Sequence, residues 1–139
     1  MKVIKNVFQV NVIMEKSDDG FWVTVEDLPG CYSFGKTIIE SLENTRNAII
    51  EHITGLKESG EKVPELFSKD YEFKLKFDLQ TLFAHYRIIN KTALAEYTGI
   101  NASLIRQYAR GLAFASEKQR EKINRALHCI GKELTLVSL

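Results

Sequence analysis

The fold of the first half of the chain is decided by residues 18–53, which read DDGFWVTVEDLPGCYSFGKTIIESLENTRNAIIEHI. Apolar and outward-facing side chains alternate along Phe21–Glu26, and this period of two predicts a half-buried strand. Asp18–Gly20 precedes the strand and Asp27–Gly30 follows it, and both have the residues that tight turns favour. The stretch therefore predicts one strand between two turns, the first of them a hairpin turn.

The sequence on either side extends this strand into a small domain. Phe8–Met14 alternates in the same way and predicts the hairpin's first strand, whereas Cys31–Phe34 is a short third strand that ends at Gly35. Tyr71–Phe77 has the cleanest alternation in the chain and predicts a last strand. With a helix before it, the order is β-β-β-α-β, which predicts an α+β domain with a helix covering one face of a sheet.

The predicted helix has clear start and stop signals. Thr37 and Glu40 form a capping box, in which the Thr hydroxyl caps the first turn and the Glu carboxylate reaches back to the Thr amide. The helix should continue to about Ser59, because Gly60 ends it and Pro64 prevents a restart. Its core-facing stripe consists of Leu42, Ile49, Ile53 and Leu56.

Residues 18–53 resemble the HicB antitoxin domain, which combines a DG hairpin, an aromatic-rich strand, a DLPGC-like turn, G-x-T and a long helix. The resemblance covers the first half of the chain. It implies a partial ribonuclease-H-like or double-stranded-RNA-binding-domain-like fold. It also implies that residues 1–78 bind and block a HicA-type toxin, a small ribonuclease that cleaves mRNA.

The second half, residues 79–139, has the pattern of a helical domain. Helices are predicted at Leu79–Ile89, Lys91–Tyr97 and Ala102–Arg110, with a sharp turn at Gly99. A second capping box, Ser116 to Gln119, opens a last helix. Its apolar stripe is Ile123, Leu127, Ile130 and Leu134. The apolar end of the chain, Leu134–Leu139, should pack on this helix or pair across a dimer, and packing is the simpler expectation.

Residues 90–131 resemble the lambda-repressor/Cro-like helix-turn-helix family, with Leu94, Ala95, Gly99, Ile100, Ser103, Ile105, Gly111 and Ser116 matching its pattern in order. The chain departs from that pattern at Lys91, Ala109 and Ala115. The resemblance implies that the helix after the turn enters the major groove of DNA. Helical spacing places Leu94, Ala95, Ile100, Ile105 and Tyr108 inside the domain. The predicted DNA-binding residues are Lys91, Ala102, Ser103, Arg106, Gln107 and Arg110.

Charge is distributed unevenly along the chain. Residues 1–68 carry seven Lys and Arg against eleven Asp and Glu, residues 69–80 carry three of each, and residues 81–139 carry nine against four. The segments therefore have net charges of −4, 0 and +5. A basic second half suits a polyanion such as operator DNA, and an acidic first half suits a basic protein partner.

The acidic residues of the first half are compatible in type with a binding surface or with a nuclease site. Asp18 and Asp19 lie at the hairpin tip, and Asp27 lies beyond the other end of the same strand. At about 3.3 Å per strand residue, roughly 15 Å or more separates Asp27 from the two tip residues. They cannot share a metal pair, so we predict no catalytic residues. The predicted toxin-binding residues are Asp18, Asp19, Trp22, Glu26 and Asp27, of which Trp22 is the strongest because aromatic anchors dominate interfaces.

Composition excludes several other classes of protein. The two cysteines, Cys31 and Cys129, are far apart in sequence, and the three histidines are scattered, so neither a disulfide scaffold nor a metal or cofactor site is predicted. Apolar runs are far shorter than a membrane helix needs, and Met1–Asn6 begins no signal peptide. We expect a cytoplasmic protein that makes no membrane contact and is not an enzyme.

The combined hypothesis is an antitoxin that binds its toxin through the first domain and represses its operon through the second. As a homodimer or higher oligomer it would place two helix-turn-helix units about 34 Å apart on a palindromic operator. The alternative is a stand-alone regulator whose first domain binds a ligand or dimerises. A toxin-like neighbouring gene distinguishes the two hypotheses.

Overall fold

The computed structural model describes residues 7–139. Residues 1–6, where the sequence predicts no signal peptide, lie outside the described part. The chain divides into two compact units, residues 1–77 and 78–139, which are described separately below. Across the described residues, helices of sufficient length and apolar character to traverse a membrane are absent.

The first unit is a four-stranded sheet with one long helix. The strands are β1 (Phe8–Ser17), β2 (Gly20–Val25), β3 (Tyr32–Gly35) and β4 (Tyr71–Lys76), and the helix α1 spans Ile38–Glu58. The spatial order is β3-β2-β1-β4, with β4 parallel to β1 and the other pairs antiparallel. The predicted β-β-β-α-β order is confirmed, whereas the ribonuclease-H-like or double-stranded-RNA-binding-domain-like assignment stays a prediction.

One face of the sheet forms the core of this unit. The inward side chains of β1 and β2 are almost fully buried, and Ile49 of α1 packs among them at 1% exposure. The predicted stripe of α1 is confirmed, since Leu42, Ile53 and Leu56 pack against the same cluster. Burying each such side chain stabilises the fold by about 1.5–3 kcal/mol, so this face holds the unit together. The buried strand residues are Val10, Val12, Met14, Phe21, Val23 and Val25.

A tight turn connects β2 to β3. The amide of Cys31 donates to the carbonyl of Leu28 at 3.0 Å, and Gly30 between them has a φ of +87°. Pro29 supplies the preceding fixed φ, as a turn of this kind requires. Because Cys31 closes the turn, β3 begins one residue later than predicted, at Tyr32.

The cap of α1 differs from the predicted capping box in one bond. The Thr37 hydroxyl accepts from the Glu40 amide at 3.1 Å, as predicted. The Glu40 carboxylate, however, accepts from the amide of Lys36 at 3.2 Å and not from that of Thr37. The carboxylate therefore satisfies the N–H one residue further back, which ties the end of β3 to the helix start.

The second unit is helical. Its helices are α2 (Leu79–His85), α3 (Lys91–Thr98), α4 (Ala102–Ala109) and α5 (Glu117–Leu134). The predicted extension of α2 to Ile89 is wrong, because Tyr86 leaves the helical region with φ −93° and ψ 70°. The amide of Ile89 then bonds to the carbonyl of Tyr86 at 3.1 Å, which makes a turn in place of another helical turn.

The core of the second unit contains all five residues that helical spacing placed there. Leu94, Ala95, Ile100 and Tyr108 are 4–5% exposed and Ile105 is fully buried. Phe83 of α2 and Ile123 and Ala126 of α5 complete the cluster. Ile105 therefore anchors α4 with its apolar side turned inward.

The end of α5 corrects the prediction for the apolar tail. Ile123 is buried, but Ile130 and Leu134 on the same predicted stripe are 36% and 63% exposed. Leu136 and Val137 beyond the helix are also exposed, so the expected packing of the tail on α5 is wrong. The physical reason is the length of α5, since its contacts with the core end at Leu127 and its last turns extend past them.

The second capping box is half formed. The Ser116 hydroxyl accepts from the amide of Gln119 at 3.2 Å, so the cap itself is confirmed. The Gln119 Oε1 atom is buried and has no hydrogen-bond partner among the described residues, so the reciprocal bond is missing. Only one of the two predicted bonds of the box therefore contributes to the start of α5.

Replacing Gly35 or Gly55 of the first unit by alanine should change the stability of the protein in opposite directions. A Cβ at Gly35 would overlap the backbone of Ser41, because β3 ends directly against the first turn of α1, whereas a Cβ at Gly55 meets nothing within 4 Å. We expect Gly35→Ala to lower the free energy of unfolding by more than about 2 kcal/mol. Gly55→Ala should raise it by about 0.5–1 kcal/mol, because alanine is the better helix former. Urea denaturation measures both, and equal stabilities would contradict the close approach.

Candidate binding surfaces

The first candidate surface is the side of the sheet that α1 leaves uncovered, here called the open face. Strand register places Glu15, Trp22 and Phe34 in one row across β1, β2 and β3. The next row holds Ile13, Thr24 and Tyr32, and it continues onto β4 with Lys76. Because successive side chains of a strand point to opposite sides, these residues all face away from the core.

Aromatic side chains dominate one side of the open face. Trp22 is 54% exposed and Tyr32 is 62% exposed, and the rings of Trp22 and Phe34 are in contact at a tilt of 52°, with centroids 4.9 Å apart. We call Trp22, Tyr32 and Phe34 the aromatic cluster. Its two large exposed rings give this side of the sheet the amphipathic contact area that protein interfaces favour.

The predicted acidic residues lie around this cluster at different places. Asp18 and Asp19 form the exposed turn between β1 and β2, whereas Asp27 is exposed in the turn that follows β2. Glu26 is paired with Lys76, whose Nζ lies 3.0 Å from its carboxylate. The six residues of β2 separate the two groups, so the structure does not bring these carboxylates together.

Among the described residues no group meets the requirements of a metal site, and Cys31 does not meet those of a reactive thiol. Within residues 7–139 no three His, Cys, Asp or Glu side chains are grouped as metal ligands. Cys31 is 3% exposed, and its burial raises the pKa of the thiol above the usual value. A raised pKa leaves less of the reactive thiolate, so Cys31 acts as a buried apolar side chain.

The second candidate surface is the exposed side of α4, here called the α4 face. It consists of Ser103, Arg106, Gln107 and Arg110, which are all exposed and lie three and four residues apart, so they share one side of the helix. Ile105 and Tyr108, on the other side, are buried. Asn101 caps the helix start, since its side-chain oxygen accepts from the amide of Ser103 at 2.8 Å.

The link between α3 and α4 sets the direction of this face. Gly99 ends α3 in the left-handed conformation with φ +74° and ψ 8°. This allows the chain to reverse and bury Ile100 at 4% exposure. The Thr98 hydroxyl strengthens the turn by accepting from the Ile100 amide at 3.3 Å. The turn thus leaves the polar side of α4 in solvent.

Two of the predicted DNA-binding residues lie apart from the α4 face. Ala102 is half-buried and packs at the margin of the core, because it begins α4 on the same side as Ile105. Lys91 opens α3, and its Nζ lies over the ring of Phe83, 5.9 Å from the centroid. Its neighbour Asn90 caps α3 by accepting from the amide of Ala93 at 3.0 Å.

Sequence reasoning missed Tyr32 and Phe34 as members of the first surface. Their strand, β3, is only four residues long, too short for alternation to assign a face. The register with β2 shows which face these side chains share, because Phe34 pairs with the outward-facing Trp22 and Tyr32 pairs with Thr24. The sequence signal for a shared face was that Tyr32 and Phe34 are two residues apart, the spacing of side chains on one side of a strand.

Comparison with known sequences identifies the family. The family described as "HicB_like antitoxin of bacterial toxin-antitoxin system" matches residues 9–123, which include most of both units. The chain belongs to the HicB-like antitoxin family.

Individual relatives match over shorter stretches. An uncharacterised 14.9 kDa protein of Haemophilus phage HP1, from the rep-hol intergenic region, is 43% identical over 54 residues, 39% of this antitoxin and 41% of the phage protein. The UPF0150 protein of Thermoplasma acidophilum is 46% identical over 54 residues, 38% of this chain and 78% of the archaeal one. This antitoxin thus spans less than half of the phage protein that it matches.

A solved structure is also similar. It is the crystal structure of the N-terminal domain of the Burkholderia pseudomallei antitoxin HicB, which is 42% identical and matches with a TM-score of 0.35. The match covers 38% of this chain and 62% of that one.

The two thiols of this antitoxin should react at very different rates. Cys129 is exposed, whereas Cys31 is buried and its pKa is raised by that burial. We expect a thiol reagent at pH 8 to modify one cysteine quickly and the second only after unfolding, as followed by absorbance and mass spectrometry. Cys129→Ser should remove the fast phase alone. Two fast phases in the native protein would contradict the buried position of Cys31.

Proposed function

We propose that this antitoxin neutralises a small mRNA-cleaving ribonuclease by binding it on the open face of the sheet. We further propose that it represses its own operon through a helix-turn-helix formed by α3 and α4. Both activities are binding, so the protein is not an enzyme, and it acts in the cytoplasm. The exposed aromatic cluster is the observation that carries the first proposal, and the α4 face carries the second.

The aromatic cluster supports protein binding through its chemistry. Trp and Tyr are the residues that most often dominate interface energies, and the contact between the rings of Trp22 and Phe34 holds both in place before a partner arrives. Leaving rings of this size in water is unfavourable, whereas covering them with a partner recovers the burial energy. The rings therefore suit the open face to a protein partner.

Charge supports a basic partner. The first unit has ten Lys and Arg against thirteen Asp and Glu, a net charge of −3. Glu15 lies in the same row as Trp22, and Asp18 and Asp19 lie at the nearby strand turn. An RNA-binding toxin has a basic surface, so acidic groups around an apolar anchor would speed its capture and cover that surface.

The α4 face supports DNA binding through its geometry and charge. The second unit has nine Lys and Arg against five Asp and Glu, a net charge of +4. Arg106, Gln107 and Arg110 project from the exposed side of a helix that follows a tight turn, the arrangement by which such helices enter the major groove. Gln107 can bond adenine in two places, and the arginines can read guanine or hold phosphate. Lys91 at the start of α3 suits a phosphate contact.

Replacing Trp22 should weaken toxin binding. We expect Trp22→Ala, in the full chain, to raise the dissociation constant for the toxin encoded beside this gene by about 10–100-fold, because the central aromatic anchor is lost. Isothermal titration calorimetry measures the change. In cells, the variant should fail to rescue growth when the toxin is expressed.

Ile39→Ala is the matched control for Trp22→Ala. Ile39 is 71% exposed and lies at the start of α1, outside the open face. It should leave both toxin affinity and rescue unchanged. Equal losses for the two variants would contradict the open face as the binding surface, and absence of any complex with the wild-type chain would remove toxin binding from the proposal.

Two substitutions in the second unit should affect DNA binding differently. Gln107→Ala should reduce discrimination between the operator and random duplex by about 1–3 kcal/mol, because a base contact is lost. Lys91→Ala should weaken operator and random DNA alike and lower the slope of log K against log salt by about 0.9, because a phosphate contact is lost. Fluorescence anisotropy at several salt concentrations measures both effects.

Arg120→Ala on α5 is the control for the DNA measurements. It removes an exposed positive charge from the same unit without touching α3 or α4. It should preserve discrimination, with at most a small general loss of affinity. If Gln107→Ala and Arg120→Ala give the same discrimination as the wild type, the α4 face is not the surface that reads the bases.

A further inference from the structure

Strand β3 lies at one edge of the sheet, and only one side of its backbone is paired with another strand. The carbonyl of Cys31 accepts from the amide of Val25 at 3.2 Å, so the backbone of Cys31 points toward β2. Because this direction alternates along an antiparallel strand, Tyr32 and Phe34 direct their N–H and C=O groups away from β2. The side chain of Asn44 donates to the carbonyl of Phe34 at 2.8 Å. Three backbone groups of this edge are therefore left without a partner among the described residues, and we call them the β3 edge.

A groove of about 310 Å³ lies between the β3 edge and α1. Tyr32 lines it from the strand, and Glu51 and His52 line it from the helix. Ala48, one turn earlier on α1, contributes only a methyl group, so the helix does not fill the space. The groove therefore opens beside the unpaired backbone groups of Tyr32. Its remaining lining residues are Gly30 and Cys31.

The side of α1 that borders β3 is acidic. One row of residues, spaced four, four and three apart, shares this side of the helix: Glu40, Asn44, Ala48 and Glu51. The bond from Asn44 to the carbonyl of Phe34 identifies it as the side next to the β3 edge. Glu51 thus places a carboxylate at the groove, and a carboxylate attracts a cationic side chain of a partner.

The other edge of the sheet, along β4, has the opposite charge. Residues 69–76 carry three Lys against one Asp and one Glu, and the guanidinium of Arg46 lies over the ring of Phe73, 4.6 Å from its centroid. Residues 26–35 around β3 carry one Asp and one Glu and no Lys or Arg. Cations along a strand edge disfavour pairing with another basic segment. A basic segment is therefore directed to β3 and away from β4.

We propose that an extended, basic segment of the toxin pairs with the β3 edge and places a Lys or Arg side chain in the groove beside Glu51. The inference rests on the proposed toxin binding and specifies how part of the toxin is held. Side chains of an added strand alternate between the two faces of the sheet. One side chain therefore enters the groove on the α1 side, and the next lies on the open face beside Tyr32 and Phe34. A segment that alternates basic and apolar residues satisfies both positions.

The test is amide hydrogen exchange of the full chain, followed residue by residue by NMR, with and without the toxin encoded beside this gene. In the free chain the outward amides of Tyr32 and Phe34 should exchange nearly as fast as those of an unfolded peptide. In the complex their exchange should slow at least about 10-fold, because main-chain bonds to the toxin replace bonds to water. Nuclear Overhauser contacts between main-chain protons of Phe34 and of the toxin should accompany this protection.

Phe73 is the matched control for the exchange measurement. The amide of Phe8 donates to the carbonyl of Asp70 at 3.3 Å, so the backbone of Asp70 points toward β1. Alternation along β4 then directs the amide of Phe73 to the other free edge of the sheet. Its exchange should be the same with and without the toxin.

The groove is tested by removing its charge without changing its size. We expect Glu51→Gln to raise the dissociation constant for the toxin about 10-fold, because the cationic side chain of the toxin loses its partner. Glu43→Gln removes the same charge from an exposed position on the same helix that does not line the groove. It should change the dissociation constant by less than about twofold. Isothermal titration calorimetry measures both, and circular dichroism checks that the helices remain.

The outcomes separate this inference from the proposed function. A complex in which the amides of Tyr32 and Phe34 exchange as fast as in the free chain overturns the strand pairing but leaves toxin binding on the open face standing. Equal losses for Glu51→Gln and Glu43→Gln overturn the groove, since they indicate only long-range attraction. Protection of the two amides in the free chain, increasing with its concentration, assigns the β3 edge to a second copy and overturns the proposal. Absence of any complex removes the proposed toxin binding and this inference together.

Discussion

Side chains along a β-strand point alternately to two sides of the sheet, and the single helix of the first unit covers only one of them. Most of what this unit does follows from that constraint. The covered side takes Val12, Met14, Val23 and Val25 into a core closed by Ile49. The other side is left to solvent, and the residues that the same strands place there are therefore available to a partner.

The join between β3 and α1 makes this arrangement possible. Gly35 lets the strand end directly against the first turn of α1, and Asn44 of the helix donates to the carbonyl of Phe34 at 2.8 Å. The helix is thereby held against the core side of β3, while the ring of Phe34 contacts that of Trp22 on the other side. One short connection thus supports both the core and the open face.

In the second unit, too, one side of an element is buried and the other is left to solvent, but here the element is the helix α4. Burial of Ile105 and Tyr108 turns the apolar side of α4 inward, and the left-handed Gly99 sets the angle at which the helix leaves the turn. The polar side of α4 then carries its arginines into solvent. The uneven charge of the two units, −3 and +4, is one of the observations behind the proposal of a basic partner for the first unit and a polyanion for the second.

The sequence by itself determined the elements and their buried sides. Alternation identified the strands, helical spacing identified the five core residues around α3 and α4, and glycine and capping residues located most helix ends. These signals are local, because periodicity and turn chemistry act within a few residues. Family resemblance added the antitoxin role, which the match over residues 9–123 supports. Periodicity alone carries no information about function.

Tertiary structure decided what depends on distant parts of the chain. Register between β2 and β3 placed Tyr32 and Phe34 beside Trp22, and a four-residue strand has too little pattern to show this. The stripe of α5 is uniform in sequence, yet Ile123 is buried and Leu134 is exposed, because the helix is longer than the partner it packs on. Burial depends on what lies opposite a side chain, and only the folded chain specifies that.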